Sequence, residues 1–258
     1  MTGQAERAYS LACMELRGGN HEAEYAVELP GLSGWVSCRP LHPSPRGGDL
    51  YYLSACSKGV IARVALADVA GHGEAVSSAA VHLQDALRQH VDHWDQSALI
   101  RRLNDSFLKR AERAQFATAF LASYYTGSAE LLFTNAGHQP PLWYRAARRE
   151  WMYLDEDTSL SKEIVDLPLG MIGGTAYSQT GVQLEPGDLL LLYTDGISEA
   201  ADESGEFLGL EQLLAIAKDL PTHSAEAAGR GLRAAVTRFR GAAAAADDET
   251  IVALQRPV

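Results

Sequence analysis

Nine residues, Leu66-Ala67-Asp68-Val69-Ala70-Gly71-His72-Gly73-Glu74, carry the first sign of chemistry in this chain. They follow an apolar run, Val60 to Ala67, with the Val and Ile content of a buried strand, and they precede a stretch with helical spacing, so Asp68 is expected at a strand's end. Gly71 and Gly73 permit positive φ and a sharp turn, leaving the carboxylate and nearby carbonyls facing open space, a geometry suited to a hard cation. A single Asp-x-x-Gly-His-Gly is more often only a turn. Three further aspartates, Asp49, Asp195 and Asp247, also abut expected strands. Each alone reads best as a turn or helix cap, whereas four together reverse those odds.

Oxygen ligands of this kind suit Mn²⁺ or Mg²⁺, while Zn²⁺ would draw on His and Cys, which do not cluster here. With two such ions about 4 Å apart, a bridging water loses its proton near neutral pH and attacks phosphorus in line with the leaving oxygen. The expected product is a hydrolysed phosphoester.

The elements that would bring these residues together can be read in turn. Short strands are expected at Tyr9 to Leu16, Tyr25 to Leu29 and Trp35 to Arg39, separated by Gly- and Pro-containing turns. Pro43 to Asp49 reads as a loop. A turn at Ser57-Lys58-Gly59 makes a hairpin of Leu50 to Cys56 with Val60 to Ala67, which would set Asp49 and Asp68 at the same end. Apolar residues at three- and four-residue steps predict helices over Ala75 to Val91 and Ala98 to Ala114, the second capped by Ser97 or Asp95. Phe116 to Tyr125 and Glu130 to Asn135 form a hairpin, ending in Asn135-Ala136-Gly137-His138 and followed by a strand pair, Leu142 to Arg145 and Trp151 to Leu154.

The acidic stretch Asp155 to Asp166 reads as an exposed loop. Glu185-Pro186-Gly187-Asp188 has the residues of a type II turn and feeds a central strand, Leu189 to Tyr193. Thr194-Asp195-Gly196 ends that strand. Helices over Leu208 to Leu220 and Ala225 to Phe239, a small-residue loop and Asp247-Asp248-Glu249-Thr250 lead to the last strand, Ile251 to Gln255. Asp248 could replace Asp247 as a ligand if the loop shifts by one residue.

Composition narrows the partners. The 258 residues are 47% hydrophobic, enough for a full core, and show no internal repeat or dividing linker, so one domain over 1–258 is expected. A net charge of −11 argues against a nucleic-acid surface and fits a site that gathers cations. Cys13, Cys38 and Cys56 read as reduced core thiols. With no signal-peptide pattern and no run of about eighteen apolar residues, the expectation is a soluble cytoplasmic protein without a membrane span.

Taken in order, Gly47-Gly48-Asp49, Ala67-Asp68-Val69-Ala70-Gly71-His72-Gly73, Asn135-Ala136-Gly137-His138, Leu167-Pro168-Leu169-Gly170, Tyr193-Thr194-Asp195-Gly196 and Asp247-Asp248-Glu249-Thr250 resemble the metal-dependent serine/threonine protein phosphatases (PPM), in their bacterial SpoIIE-like (RsbU/RsbX-like) branch. The match runs over roughly residues 32 to 256 and leaves residues 1–31 as an unmatched extension. The resemblance implies an α+β fold, a four-layer α/β/β/α sandwich of two mainly antiparallel sheets flanked by helices. It implies that Asp68 bridges two Mn²⁺ or Mg²⁺ ions, with the Val69 carbonyl on one and Asp195 and Asp247 on the other, and that Asp49 holds metal-bound water. Of the adjacent pair Asp247 and Asp248, the resemblance places the ligand first, at Asp247.

The chain departs from the family at Tyr52, where an acidic residue is frequent, and at Ala70, where serine is frequent in this branch and the eukaryotic branch has a histidine general acid. That role does not carry over; metal-bound water would protonate the leaving group. His72 reads as a loop-stabilising side chain, and Asn135 and His138 as fixing a turn beside the site. Arg46 could grip two phosphoryl oxygens.

By resemblance the substrate is phosphoserine or phosphothreonine on a small regulator such as a STAS-type anti-sigma-factor antagonist. No attached sensor domain is expected, so an activating partner, a homodimer, or movement of the two helices beside the metal loop would regulate it. A binding module that kept the fold without the chemistry is the competing reading. A nucleotide cyclase, suggested by Gly47-Gly48-Asp49, fails because Leu50-Tyr51 replaces the residues such enzymes use.

Overall fold

Residues with alternating apolar side chains settle how the strands stack in the computed structural model, which describes residues 9–11, 16–56, 59–71, 74–90, 95–110, 115–154 and 166–258. One sheet has six strands in the order β11 (Thr180–Gln183), β8 (Glu130–Ala136), β7 (Ala117–Tyr125), β6 (Ile61–Val69), β5 (Arg46–Cys56) and β2 (Leu16–His21). The other has seven, in the order β1 (Tyr9–Ser10), β3 (Ala23–Leu29), β4 (Leu32–Arg39), β13 (Glu249–Gln255), β12 (Leu189–Tyr193), β9 (Leu142–Arg145) and β10 (Glu150–Tyr153). Among the described strands only β1 and β3 pair in parallel.

Successive side chains on a strand point to opposite faces, and here both faces are apolar. Tyr51, Leu53, Val64, Leu66, Phe120 and Leu192 meet between the sheets, where Phe120 and Phe133 stack with ring centroids 5.5 Å apart. Their neighbours Leu50, Tyr52, Ala65 and Ala67 face outward onto α1 (Glu74–Gln89) and α2 (Gln96–Arg110), packing with Val76, Leu83, Leu99 and Phe107. On the far side Leu189, Leu191, Trp35 and Ile251 pack against α3 (Asp195–Ser198), α4 (Gly209–Ala217) and α5 (Ala225–Arg240). The result is the four-layer α/β/β/α sandwich that the resemblance implied. The unbroken Leu189–Leu192 run serves two cores at once, and β12 is a central strand as expected.

Several boundaries differ from the sequence reading. Gly18 and Gly19 lie within β2 rather than in a turn, because a strand at the sheet edge tolerates glycine where it presses on the Tyr51 carbonyl. Arg46 to Asp49 begins β5 instead of ending a loop. β11 and the one-turn α3 carry too short a pattern to be read from periodicity. Asp95, not Ser97, caps α2, its Oδ1 accepting from the Ala98 N–H at 3.0 Å.

At the Glu185–Asp188 turn Gly187 has φ +88°, and the buried Asp188 carboxylate accepts from Trp143 Nε1, Ala146 N and Glu185 N. Cys38 is a buried free thiol. No described helix is long and apolar enough to cross a membrane. His72, Cys13, the Ser57-Lys58 turn, the end of the second helix beyond 110 and the acidic stretch 155–165 lie outside the described residues.

Candidate metal centre

The period of two that buries Leu53 and Leu66 between the sheets also sets Asp49 and Asp68 on the inner face, where the sandwich ends. They sit directly across from one another as paired residues of β5 and β6. Asp49 is only 2% exposed, and its Oδ2 accepts a hydrogen bond of 2.7 Å from Thr194 Oγ1, which comes from the opposite sheet. Thr194 Oγ1 in turn accepts from the Thr250 N–H at 3.0 Å. A methyl group on Gly48 would stand 2.8 Å from the Val69 carbonyl oxygen and 3.6 Å from Asp68 Oδ1. Glycine there keeps the Val69 carbonyl and the Asp68 carboxylate clear on the side where they converge.

The other sheet supplies Asp195, the first residue of α3, and Asp247, two residues ahead of β13. A side chain at Gly196 would lie 2.0 Å from the Asp248 carbonyl oxygen and 3.5 Å from Asp247 Cβ, so only glycine lets these two segments touch. A cleft of about 170 Å³ follows, lined among others by Asp195, Glu199, Phe207 and Asp247.

The two candidates of the Asp-Asp pair are separated by their partners. The Asp248 carboxylate is turned inward, accepting from Leu41 N at 2.6 Å, Gly48 N at 2.6 Å and Asp49 N at 3.4 Å. Asp247 lines the cleft, one of its oxygens accepting from the Asp248 N–H at 2.8 Å. Asp248 therefore clamps the Gly47-Gly48-Asp49 turn, and a role that the sequence reading did not give it explains why β5 starts early. Adjacent aspartates beside a Gly-Gly turn were the available signal.

Burial and mutual repulsion shape the electrostatics. Desolvation first, then the charges of Asp195, Asp247, Asp248 and Glu199, push Asp68 up to about 7. Burial and Asp68 hold Asp49 well above the usual carboxylate range, and burial and acidic neighbours raise Asp195 and Asp247 as well. The largest charge contributions to Asp68 all come from carboxylates. Among the described residues no three His, Cys, Asp or Glu side chains stand close enough together to form a finished cage. The donor set nonetheless fits hard divalent cations, which would relieve the repulsion that the carboxylates impose on one another.

A pH dependence follows. A carboxyl group whose pKa is raised on folding stabilises the fold while protonated, so its contribution is full below about 4 and is lost as pH rises through about 7. In chelator the melting temperature should fall between pH 5 and pH 8, with a loss on the order of 2 kcal/mol after allowance for partial exposure. Excess Mg²⁺ or Mn²⁺ should flatten that slope; a metal-independent curve in differential scanning fluorimetry would refute it.

Three other residues from the sequence reading fall as follows. Asn135 holds its turn in both directions, its side chain donating to the His138 carbonyl at 2.9 Å and accepting from the His138 N–H at 2.7 Å. His138 is buried, with Nδ1 2.7 Å from Thr118 Oγ1, and Thr118 is the residue paired with Asp68 across β6 and β7. Burial pulls its pKa down to about 4 against an opposing contribution from the Tyr193 backbone, so the ring is neutral. Arg46 is exposed at the start of β5, three residues before Asp49.

Two packed sheets flanked by helices are the fold of PP2C phosphatase domains, which are among the solved structures that this chain resembles. Residues 61–257 match the family model described as stage II sporulation protein E (SpoIIE), and the chain belongs to that family. It is 25% identical over 214 residues to the phosphoserine phosphatase RsbU of Bacillus subtilis, covering 82% of this chain and 60% of that protein. Among solved structures, the RsbU and RsbW domains of Rv1364c from Mycobacterium tuberculosis superpose with a TM-score of 0.73 at 21% identity, covering 100% of this chain and 64% of that one. RsbX in complex with magnesium superposes at 0.65 with 15% identity, covering 90% of this chain and 99% of that one. The chain thus spans somewhat under two thirds of RsbU and of the Rv1364c structure.

Proposed function

We propose that this chain, acting as one domain over residues 1–258, hydrolyses phosphoserine or phosphothreonine on a cytoplasmic regulatory protein. The observation that carries the reading is geometric: Asp49 and Asp68 pair directly across β5 and β6, Thr194 ties Asp49 to the end of β12 in the other sheet, and Asp195 and Asp247, which follow β12 and precede β13, line one cleft. Family membership and the kinship with RsbU support it. Asp68, the Val69 carbonyl, Asp195 and Asp247 would hold two Mn²⁺ or Mg²⁺ ions, which when bound supply the charge that activates water and neutralises phosphoryl oxygens.

The protein's own groups do the rest. Asp49, fixed through one oxygen by Thr194, orients the attacking water. Arg46 receives phosphoryl oxygens of the substrate. No side chain is assigned as general acid, so water protonates the serine or threonine oxygen as it leaves. The RsbU relative and the solved chain that carries an RsbW domain beside an RsbU domain favour a partner-switching substrate, a STAS-type anti-sigma antagonist. An activating partner or a second copy would work through α1 and α2, which His82 and Ser106 join to each other; Asn20 donates both to Ser77 of α1 and to the Gly47 carbonyl.

Purified protein given Mn²⁺ should release phosphate from p-nitrophenyl phosphate and from phosphoserine peptides, and should stop in chelator. Absence of turnover in Mn²⁺ and in Mg²⁺ would instead favour the non-catalytic binding module.

A further inference from the structure

Phe207 is 62% exposed, yet it is not on a loose loop. It closes a small hairpin through a bridge to Ala201, and Leu208 N donates to the Ala200 carbonyl at 2.9 Å. Inside the turn Asp202 Oδ1 accepts from Ser204 N, Ser204 Oγ and Glu206 N at 2.8, 2.6 and 3.0 Å, and Gly205 takes φ +83°. Glu203 then fastens the hairpin to the segment leading into Asp247, its Oε1 accepting from Ala242 N at 2.9 Å. So many local hydrogen bonds leave the ring little freedom to fold back onto the core. An aromatic ring held in water by a rigid turn gives up burial that a free chain would recover.

What the ring faces is the cleft beside the candidate metal ligands. The same walls contain Asp195, Gly196, Ala200, Ala201, Ala246 and Asp247, so the space adjoins two of the candidate ligands and is partly apolar. Its lining is acidic on balance: Asp195, Glu199, Asp247 and Glu249 face one cation, Arg240, which is paired with Glu249, and Glu203 and Glu206 are exposed on the adjoining hairpin. Apolar floor, aromatic edge and negative rim together suit an apolar side chain with a basic neighbour.

We propose that Phe207 and the Ala200–Ala201 floor form a docking subsite for an apolar side chain that lies within a few residues of the phosphoserine, and that the acidic rim favours Lys or Arg next to it. This rests on the phosphatase reading and adds a sequence preference to it. A substrate without that side chain still reaches the metal centre but loses the contact area on the ring, worth about tenfold in kcat/KM for one buried aliphatic group.

The full chain with Mn²⁺ would be assayed on two sets of phosphoserine peptides carrying Arg, one placing Leu in turn at each of the four positions nearest the phosphoserine and one with Ser there. A third substrate, p-nitrophenyl phosphate, is the denominator. The best Leu peptide should exceed its Ser counterpart roughly tenfold, and Phe207→Ala should bring that ratio close to one. Equal use of both sets by the unaltered chain, or a Phe207→Ala variant that lowers both sets and p-nitrophenyl phosphate in equal proportion, would overturn the subsite alone. No turnover of any substrate would overturn the phosphatase reading and the subsite with it.

Discussion

Replacing Asp68 by asparagine is expected to lower Mn²⁺-dependent turnover of p-nitrophenyl phosphate by on the order of a thousandfold, while making the metal-free protein more stable at pH 8. The two effects have one cause. Ionised Asp68 is a charge that burial and four acidic neighbours resist, so an uncharged isostere relieves the apo fold and, on the proposed metal centre, would also remove a shared ligand. Asp195→Ala should follow the same direction with a smaller loss, about a hundredfold, because its carboxylate stands at the edge of the set. Kinetics at saturating Mn²⁺ together with melting curves in chelator test both halves. A stable, fully active Asp68→Asn protein would end the metal-centre assignment.

Asp248→Ala should be the most destabilising single change at the site. It leaves the N–H groups of Leu41, Gly48 and Asp49 without their acceptor in a buried setting, which costs about 3 kcal/mol, or roughly 5–10 °C in Tm. Asp248→Asn keeps one acceptor oxygen and should fall between the two. Activity should decline with it, since the turn that carries Asp49 loses its clamp, whereas Asp247→Ala should spare Tm and weaken the metal dependence. Opposite outcomes for the neighbouring pair, with Asp247→Ala unfolding the protein and Asp248→Ala merely weakening its response to Mn²⁺, would reverse the roles given to them.

The elements of the sandwich were legible in the apolar patterns, while their stacking in four layers was implied by the family resemblance. Leu189–Leu192 is apolar at every position, which only a strand buried on both faces requires, and the amphipathic spacing of α1, α2, α4 and α5 supplies the covers. The convergence of Asp49 with Asp68 was legible from the hairpin, whose register pairs them directly. What periodicity could not reveal was set by contacts distant in sequence. β5 begins at Arg46 because an aspartate 200 residues further on holds Gly48, and β11 is a four-residue edge strand ordered by β8 rather than by its own pattern. Asp247 was preferred over Asp248 only because the family resemblance places the ligand first; the hydrogen bonds of Asp248 to Leu41, Gly48 and Asp49 supply the physical distinction. Phe207 was passed over since a lone phenylalanine in a polar turn carries no spacing signal.

The division of labour between the sheets has a mechanical consequence. Asp49 and Asp68 ride on one sheet, and Asp195 and Asp247 sit at the ends of two central strands of the other, with the Thr194 hydroxyl bonded across the gap. Ions held by both sets would act as rivets through the sandwich, so a slip of one layer past its mate by a fraction of an ångström would spring the joint while leaving each sheet intact.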